Sequence, residues 1–533
     1  MKIAACQLNY TIGDFEGNKL KIIDHISRAK AMGADLVVFA QGAISGTPGY
    51  DLLRKYSFLE HAEEALIEIA SHCDDISVLV GLPIQGKGGT VSAAAHIHNR
   101  RIERFIGKKN IPSREEKPYL VPGSGVKYVR VASQKVAVVI GEDITLEQEW
   151  SPNTDVIVSL TAHSYSRGIV EKRYNHYSRL AHNAGHPTVY VNQVGGQTDV
   201  LFDGSSAAFN GRGEAICLLK NFEEDFRIID TEAADTVAIP PQDKTANVYC
   251  AMKMGLADYF RKNGFTRACL GMSGGIDSAV VAAIAGEALG AQNVRLLMMP
   301  SQFSTEHSVD DAVDMAERMG SPYDVVPITE TYKAVTETMI PVVGGTRFDV
   351  TEENVQSRIR GVMLMALSNK FGHIVLNCSN KSENAVGYGT LYGDSIGSIS
   401  MAGDLYKCEI YDLARHINKV RESEDGRKGG VIPENILLKE PSAELHPGQL
   451  DSDRLPSYDV LDAILYRMIE EGQNREEIIN AGFDAPTVNR VHKMLLRNEY
   501  KRRQGCPVFR LSTAPLGKEF IMPLTNEYGG YGF

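Results

Sequence analysis

No run of apolar residues in this 533-residue chain is long enough to cross a bilayer. The first residues, MKIAACQLNY, alternate like a strand and lack the basic-then-apolar layout of a secretory leader. No CxxC pair occurs: Cys6, Cys73, Cys217, Cys250, Cys269, Cys378, Cys408 and Cys506 are scattered. That scatter argues against a zinc site or a disulfide framework and suits a reducing cytoplasm. Positive charge is in deficit, with a formal net charge of −11. This argues against general nucleic-acid binding while leaving room for a local basic pocket around a phosphorylated substrate. Repeats and low-complexity tracts are absent. What remains is a globular composition, 43% hydrophobic and 23% charged, at a length that exceeds one ordinary core and implies two domains.

Hydrophobic periodicity divides the chain. Strands are expected at Lys2–Leu8, Asp35–Phe39, Ser77–Gly81, Lys135–Ile140, Asp155–Leu160 and Thr188–Asn192, with helices at Asn18–Met32 and Ala62–His72. Val91–Phe105 and Ser205–Lys220 have hairpin character, the second turning at Asn210-Gly211. Residues 1–231 therefore read as a two-sheet α/β domain. The polar segment 232–246, with its Pro-Pro pair, reads as a linker. From residue 247 to 533 a second domain begins with a helix, Asn247–Asn263. It continues with strands near Arg267–Met272, Val294–Met299, Asp324–Ile328 and Ile374–Cys378. Helices at Ser278–Leu289, Val309–Met319 and Val355–Phe371 lie between these strands, the alternation of a doubly wound parallel sheet.

Ser273-Gly274-Gly275-Ile276-Asp277-Ser278 stands between a strand and a helix of that second domain. Glycines at such a turn let the backbone approach an anion, and successive N–H groups point at it. Ser273 and Ser278 add hydroxyls, and Asp277 is suited to a magnesium ion held against phosphates. No Gly-Lys-Ser/Thr follows, so this is not a Walker A loop.

The motif resembles the SGGxDS signature of ATP pyrophosphatases, and further blocks narrow the family. Met299–Ser304, ENVQSRIR at 353–360, NKSE at 380–383, GYGTLYGD at 387–394, GDLYK at 403–407, PSAEL at 441–445 and YKRRQ at 500–504 together resemble the NAD synthetases. The resemblance implies an ATP site formed by Ser273, Gly274, Gly275, Asp277, Ser278 and Met299, together with Arg360, Thr390, Lys407 and Ser442. It implies contacts to the nicotinate-bearing substrate from Asn354, Arg358, Tyr388, Asp394 and Lys501. Asp277 and Glu383 would hold Mg2+, and Lys407 would face the α-phosphate. Nicotinic acid adenine dinucleotide would be adenylated by ATP, and ammonia would displace AMP to give NAD. The glycine-rich, charged stretch Arg421–Ser457, which contains Ser442, is expected to act as a lid.

The first domain resembles the nitrilase-type glutaminase domain of glutamine-dependent NAD synthetases, most closely over VYVNQVGGQTDVLFDG at 189–204. The implied fold is an α-β-β-α sandwich ahead of the ATP-pyrophosphatase-like domain. Active members use a Glu-Lys-Cys triad. Here the glutamate position of FPE holds Gln41, the K-x-x-L-P pattern keeps Lys108, and the cysteine position of CED holds Gly141. The neighbouring segments Ser45–Tyr50 and Ser159–Tyr165 depart from the family pattern as well. The expectation is a NAD synthetase with a degenerate glutaminase domain, fed by free ammonia and forming a homo-oligomer. Two alternatives stand beside it. One is glutamine use through another nucleophile, and the other is a nucleotide-binding assembly subunit without turnover. A mononucleotide acceptor is also open. His163, His176 and His182 are read as surface or satisfied histidines rather than metal ligands.

Overall fold

The computed structural model describes residues 1–528 apart from 115, 146–149, 152, 345 and 427–428. The chain forms two compact units, Met1–Gln242 and Asp243–Phe533.

The strands of the first unit are β1 (Lys2–Gln7), β2 (Leu36–Phe39), β3 (Ser77–Gly86), β4 (Gly89–His98), β5 (Arg101–Gly107), β6 (Lys127–Val131) and β7 (Gln134–Ile140). They continue with β8 (Val156–Thr161), β9 (Thr188–Asn192), β10 (Val194–Gln197), β11 (Val200–Asp203), β12 (Ala207–Phe209), β13 (Ala215–Leu218) and β14 (Asp225–Asp230). Its helices are α1 (Phe15–Ala31), α2 (Tyr56–Ser71) and α3 (Ile169–Ala184). Two six-stranded sheets result, ordered β14-β1-β2-β3-β4-β5 and β13-β12-β9-β8-β7-β6. Their central strands are apolar on both faces, as strands covered on both sides must be. Ile3, Ala5, Leu36 and Val38 of the first sheet share a core with Val136, Val138, Val158 and Leu160 of the second. The alternate residues Ala4, Cys6, Val37 and Phe39 pack under Ile22 and Ile26 of α1 and Leu66 and Ile69 of α2. Ala137, Val139 and Ile157 pack under Tyr174 and Tyr177 of α3. The period-two alternation thus forces four layers, helix-sheet-sheet-helix.

The second unit contains β15 (Ala268–Gly271), β16 (Val294–Met298), β17 (Tyr323–Val325), β18 (Ile374–Asn377) and β19 (Ile399–Ser400). All are parallel, in the order β17-β16-β15-β18-β19. Its helices begin with α4 (Lys244–Asn263), α5 (Ile276–Leu289), α6 (Glu306–Met319), α7 (Thr329–Val343), α8 (Val350–Phe371) and α9 (Lys381–Val386). They continue with α10 (Lys407–Asp425), α11 (Glu434–Leu438), α12 (Tyr458–Ile469), α13 (Arg475–Asn480) and α14 (Ala485–Arg497). Helix α4 starts three residues before the expected Asn247, because the Asp243 carboxylate accepts from the N–H groups of Thr245 and Ala246. Helix α5 is buried from Ala279 to Ala285 and lies between the sheet and helices α4 and α10, which explains its all-round apolar sequence. Helices α9, α12, α13 and α14 form a separate core built on Leu461, Ile464, Leu465, Ile478, Val488 and Val491. No helix is long and apolar enough to cross a membrane among the described residues.

The chain winds from β15 outward to β16 and β17 and then crosses to β18 on the other side of β15. The crevice beyond the carboxyl ends of β15 and β18 is therefore a topological switch point, where open parallel sheets bind ligands.

Candidate active site

The turn leaving β15 opens the site. Gly274 has φ +78, and a Cβ there would fall 2.2 Å from the carbonyl oxygen of Ser308, so no other residue fits. The Ser273 hydroxyl lies 3.2 Å from that of Ser278 and accepts from the Gly275 N–H at 3.2 Å. This holds the turn in a bowl at the start of α5.

Across the crevice, β18 leads into α9, and β19 is followed by α10. Their side chains converge on Asp277. Lys407 Nζ lies 2.5 Å from Asp277 Oδ2 and 3.4 Å from Glu383 Oε1. Burial works against the Lys407 charge, but Asp277 and Glu383 outweigh it, so the ammonium is held well above its usual range. Burial, reinforced by Asp277 and opposed by Lys407, pushes the Glu383 carboxyl up to about 8. Asp277 and Glu383 are oxygen donors of the kind a hard cation takes beside phosphates, while among the described residues no group of three or more His, Cys, Asp or Glu side chains could hold a metal by itself. Asp462 of α12 fixes the geometry from behind. Its carboxylate accepts from the Ser382 hydroxyl at 2.5 Å and the Cys408 N–H at 2.8 Å, and the Ser382 oxygen accepts from the Lys407 N–H at 3.0 Å.

Asp277, Glu383 and Lys407 line a cavity of about 310 Å³, together with Met299, Arg360, Tyr388, Asp394 and Ser442. Arg360 donates to the Met299 carbonyl at 3.0 Å, and burial lowers its pKa. Burial raises Asp394, which accepts from the Thr390 N–H at 2.6 Å. Four expected site residues are not among the residues lining this cavity. The Thr390 hydroxyl donates to Asn354 Oδ1 at 2.7 Å, and Arg358 donates to the Leu391 carbonyl at 3.2 Å. Lys501 donates to the carbonyls of Gly387 and Gly389 at 2.8 and 2.7 Å, in a smaller cavity that shares Glu383 and Tyr388 with the main one.

The stretch expected as a lid includes residues 427 and 428, which lie outside the described residues. The part around Ser442 is docked. Glu444, at φ +49, accepts from Ser308 Oγ at 2.6 Å and Thr305 Oγ1 at 3.1 Å, and pairs with Lys439 at 2.8 Å. Gln356 of α8 donates to the Leu445 carbonyl at 2.9 Å. Arg454 forms a two-pronged ion pair with buried Glu353 at 2.9 and 2.8 Å. Asp451 lines the cavity and accepts from the Tyr458 hydroxyl at 2.8 Å, and Lys407 sits 5.1 Å from that ring. Sequence reasoning missed Asp451, Tyr458 and Asp462, because lone residues in loops and helices carry no motif.

In the first unit Gln41, Lys108 and Gly141 do meet. A Cβ built on Gly141 would lie 2.9 Å from Gln41 Oε1 and 3.3 Å from Lys108 Nζ. Lys108 is buried and pairs with Glu116 at 2.9 Å and Glu142 at 2.7 Å. Burial lowers its pKa, but the two glutamates raise it further, so the charge is retained. Gln41 donates to Glu116 at 3.2 Å and Ser92 at 3.3 Å. Sequence reasoning missed both glutamates. His163 stands 3.6 Å from Glu142, and burial pushes it down to about 4. It is therefore a neutral neighbour of this cluster.

Comparison with known proteins follows the same division. Residues 248–505 match the NAD synthase family and residues 2–240 the carbon-nitrogen hydrolase family. The chain is 37% identical to the glutamine-dependent NAD(+) synthetase of Thermotoga maritima over 581 aligned positions, covering 99% of each. The corresponding protein of Acinetobacter baylyi is 37% identical, with 99% of this chain and 98% of that protein covered. Among solved structures, the glutamine-dependent NAD+ synthetase of Acinetobacter baumannii in complex with ADP superposes with a TM-score of 0.78 at 35% identity, covering 98% of each chain. A nitrilase-fold unit, a parallel-sheet NAD synthase unit and relatives matching end to end leave one assignment: the chain belongs to the glutamine-dependent NAD(+) synthetase family, and its enzymatic class is that of a carbon–nitrogen ligase.

Proposed function

We propose that this NAD synthetase amidates nicotinic acid adenine dinucleotide with free ammonia and that its first unit hydrolyses no glutamine. The observation that carries the reading is Gly141, a hydrogen atom at the point where Gln41 and Lys108 converge. Without a thiolate no acyl-enzyme forms, and the Gln41 amide cannot carry protons as a carboxylate does. The cysteines of this unit offer no replacement. Burial pushes Cys6 far up, Cys73 to about 12 and Cys217 to about 11, so none is a thiolate near neutrality. A cavity lined by Gln41, Ser92, Glu116 and Tyr119 measures about 30 Å³, room for a water or two.

In the second unit, the turn at Ser273–Ser278 receives the ATP phosphates. Asp277 and Glu383 would hold magnesium, which when bound would neutralise phosphate charge. Lys407 stabilises charge on the α-phosphate as the nicotinate carboxylate attacks and pyrophosphate leaves. Ammonia then attacks the acyl carbon, AMP departs with the C–O bond electrons, and a proton is lost from nitrogen. The segment around Ser442 and Glu444 keeps water from the acyl adenylate. Oligomer formation is supported by the exposed apolar residues Met339, Ile340, Val342, Phe348 and Val350.

The test is NAD formation from the nicotinate dinucleotide and ATP with either ammonium or glutamine at matched nitrogen. Turnover with ammonium alone is expected. Equal turnover with glutamine overturns the ammonia reading, and none with either nitrogen source overturns the synthetase reading.

A further inference from the structure

Asn380 stands outside the residues assigned so far, yet it is completely buried between the two carboxylates of the site. Its two side-chain atoms face in different directions. Oδ1 accepts from the Glu383 N–H at 2.9 Å and caps α9, the six-residue helix that carries Glu383. Nδ2 donates to Asp277 Oδ1 at 3.0 Å, across 103 residues of sequence. The two partners fix the amide orientation, because a backbone N–H needs an acceptor and a carboxylate needs a donor. Asp277 is thereby gripped on both oxygens, Oδ1 by Asn380 and Oδ2 by Lys407.

We infer that Asn380 is the positioning residue of the metal pair, setting the separation of Asp277 and Glu383 so that a divalent cation and the nucleotide phosphates fit between them. This inference rests on the assignment of those two carboxylates as the cation ligands. The chemistry admits few substitutes. Aspartate caps equally well but turns an acceptor toward Asp277. Serine and threonine cap the helix, but one short hydroxyl cannot span both partners. Outer partners of this kind typically govern metal affinity by about 10–100-fold.

The experiment measures Mn2+ binding by electron paramagnetic resonance to the full-length protein saturated with α,β-methylene-ATP, alongside thermal unfolding. In Asn380→Ser, which keeps the cap, Mn2+ affinity is expected to fall about 10–100-fold, with a melting temperature close to that of the unsubstituted protein. Asn380→Thr repeats the test should the serine variant fail to fold. A merely structural role moves the melting temperature and leaves Mn2+ affinity alone, and that result overturns the inference. Asp277→Asn and Glu383→Gln are the controls. If both bind Mn2+ like the unsubstituted protein, the assignment of the metal pair fails, whatever Asn380 does. If both lose Mn2+ while Asn380→Ser and Asn380→Thr do not, the pair stands and the positioning role falls.

Discussion

Placing a thiol at position 141 tests the reading of the first unit most directly. Gly141 has φ +50, a region that costs an L-residue about 1–2 kcal/mol. The atoms an added Cβ would crowd, Gln41 Oε1 at 2.9 Å and Lys108 Nζ and Cε at 3.3 and 3.4 Å, are the ends of flexible side chains and can withdraw by a few tenths of an ångström. The total cost of Gly141→Cys is therefore about 1–2 kcal/mol, a fall in melting temperature of roughly 2–8 °C for a unit of this size. Its thiol would stand beside the Lys108 ammonium, which favours the thiolate. The proton acceptor is still missing, and Gln41→Glu supplies it at a position worth about 10²–10⁴ in rate. The assay is intact-mass spectrometry after incubation with a diazo-ketone analogue of glutamine, with tryptic mapping of the adduct. No adduct is expected on the unsubstituted protein, slow labelling on Gly141→Cys, and labelling at least about 10²-fold faster on the double variant. An adduct on the unsubstituted protein, or equal rates for the single and double variants, would refute the reasoning.

Lys407→Met should lower single-turnover AMP formation by about 10²–10³-fold, the usual worth of one such donor. An undiminished rate removes Lys407 from the chemistry. Arg454→Met leaves the Glu353 carboxylate, 4% exposed, with His446 at 3.8 Å as its remaining ion-pair partner among the described residues. Because the Arg454 side chain is 45% exposed, the expected loss is about 1–2 kcal/mol rather than the figure for a fully buried pair. The ATP KM should rise with it as the segment around Ser442 loosens, and an unchanged KM separates that segment from the ATP site. Burial pushes His96 of β4 down to about 4 from 6.5. The unfolded chain therefore binds one more proton between those values, and the stability this residue confers is present above pH 6.5 and lost as pH falls toward 4. Chemical denaturation from pH 7 to 4 should show a shallower slope in His96→Gln, by at most about 1.4 kcal/mol per pH unit. An identical slope removes His96 as the cause.

The elements legible in the sequence were those whose pattern follows from burial alone. Strands β1, β2, β8 and β9 and helix α5 emerge within two or three residues of their observed ends, since each is apolar with a clear period. The hairpin at 205–220 was legible because its turn chemistry is local. Helices α9, α12, α13 and α14 were not assigned from sequence, although Asn380, Asn474 and Asp484 cap three of them. Their apolar faces pack on one another rather than on the sheet, so no strand-helix alternation announced them. The site divides in the same way. Asp277, Glu383 and Lys407 sit in contiguous motifs and converge in space. Glu116 and Glu142 escaped notice because only the fold shows that they close on Lys108 from two loops. Thr390 and Asn354, expected at the ligand, bond to each other.

The position of β18 beside β15 has a consequence for how the enzyme comes into being. Lys407 reaches Asp277 over 130 residues, so the two sides of the crevice meet only once the sheet has closed across that interval. A nucleotide that needs both sides of the crevice would bind the folded second unit in preference to a half-folded chain. At a hundred times its dissociation constant it should then protect the second unit by about 2.7 kcal/mol. Newly made chains would therefore be sorted by the very molecule they consume, the completed ones shielded from proteolysis whenever ATP is plentiful.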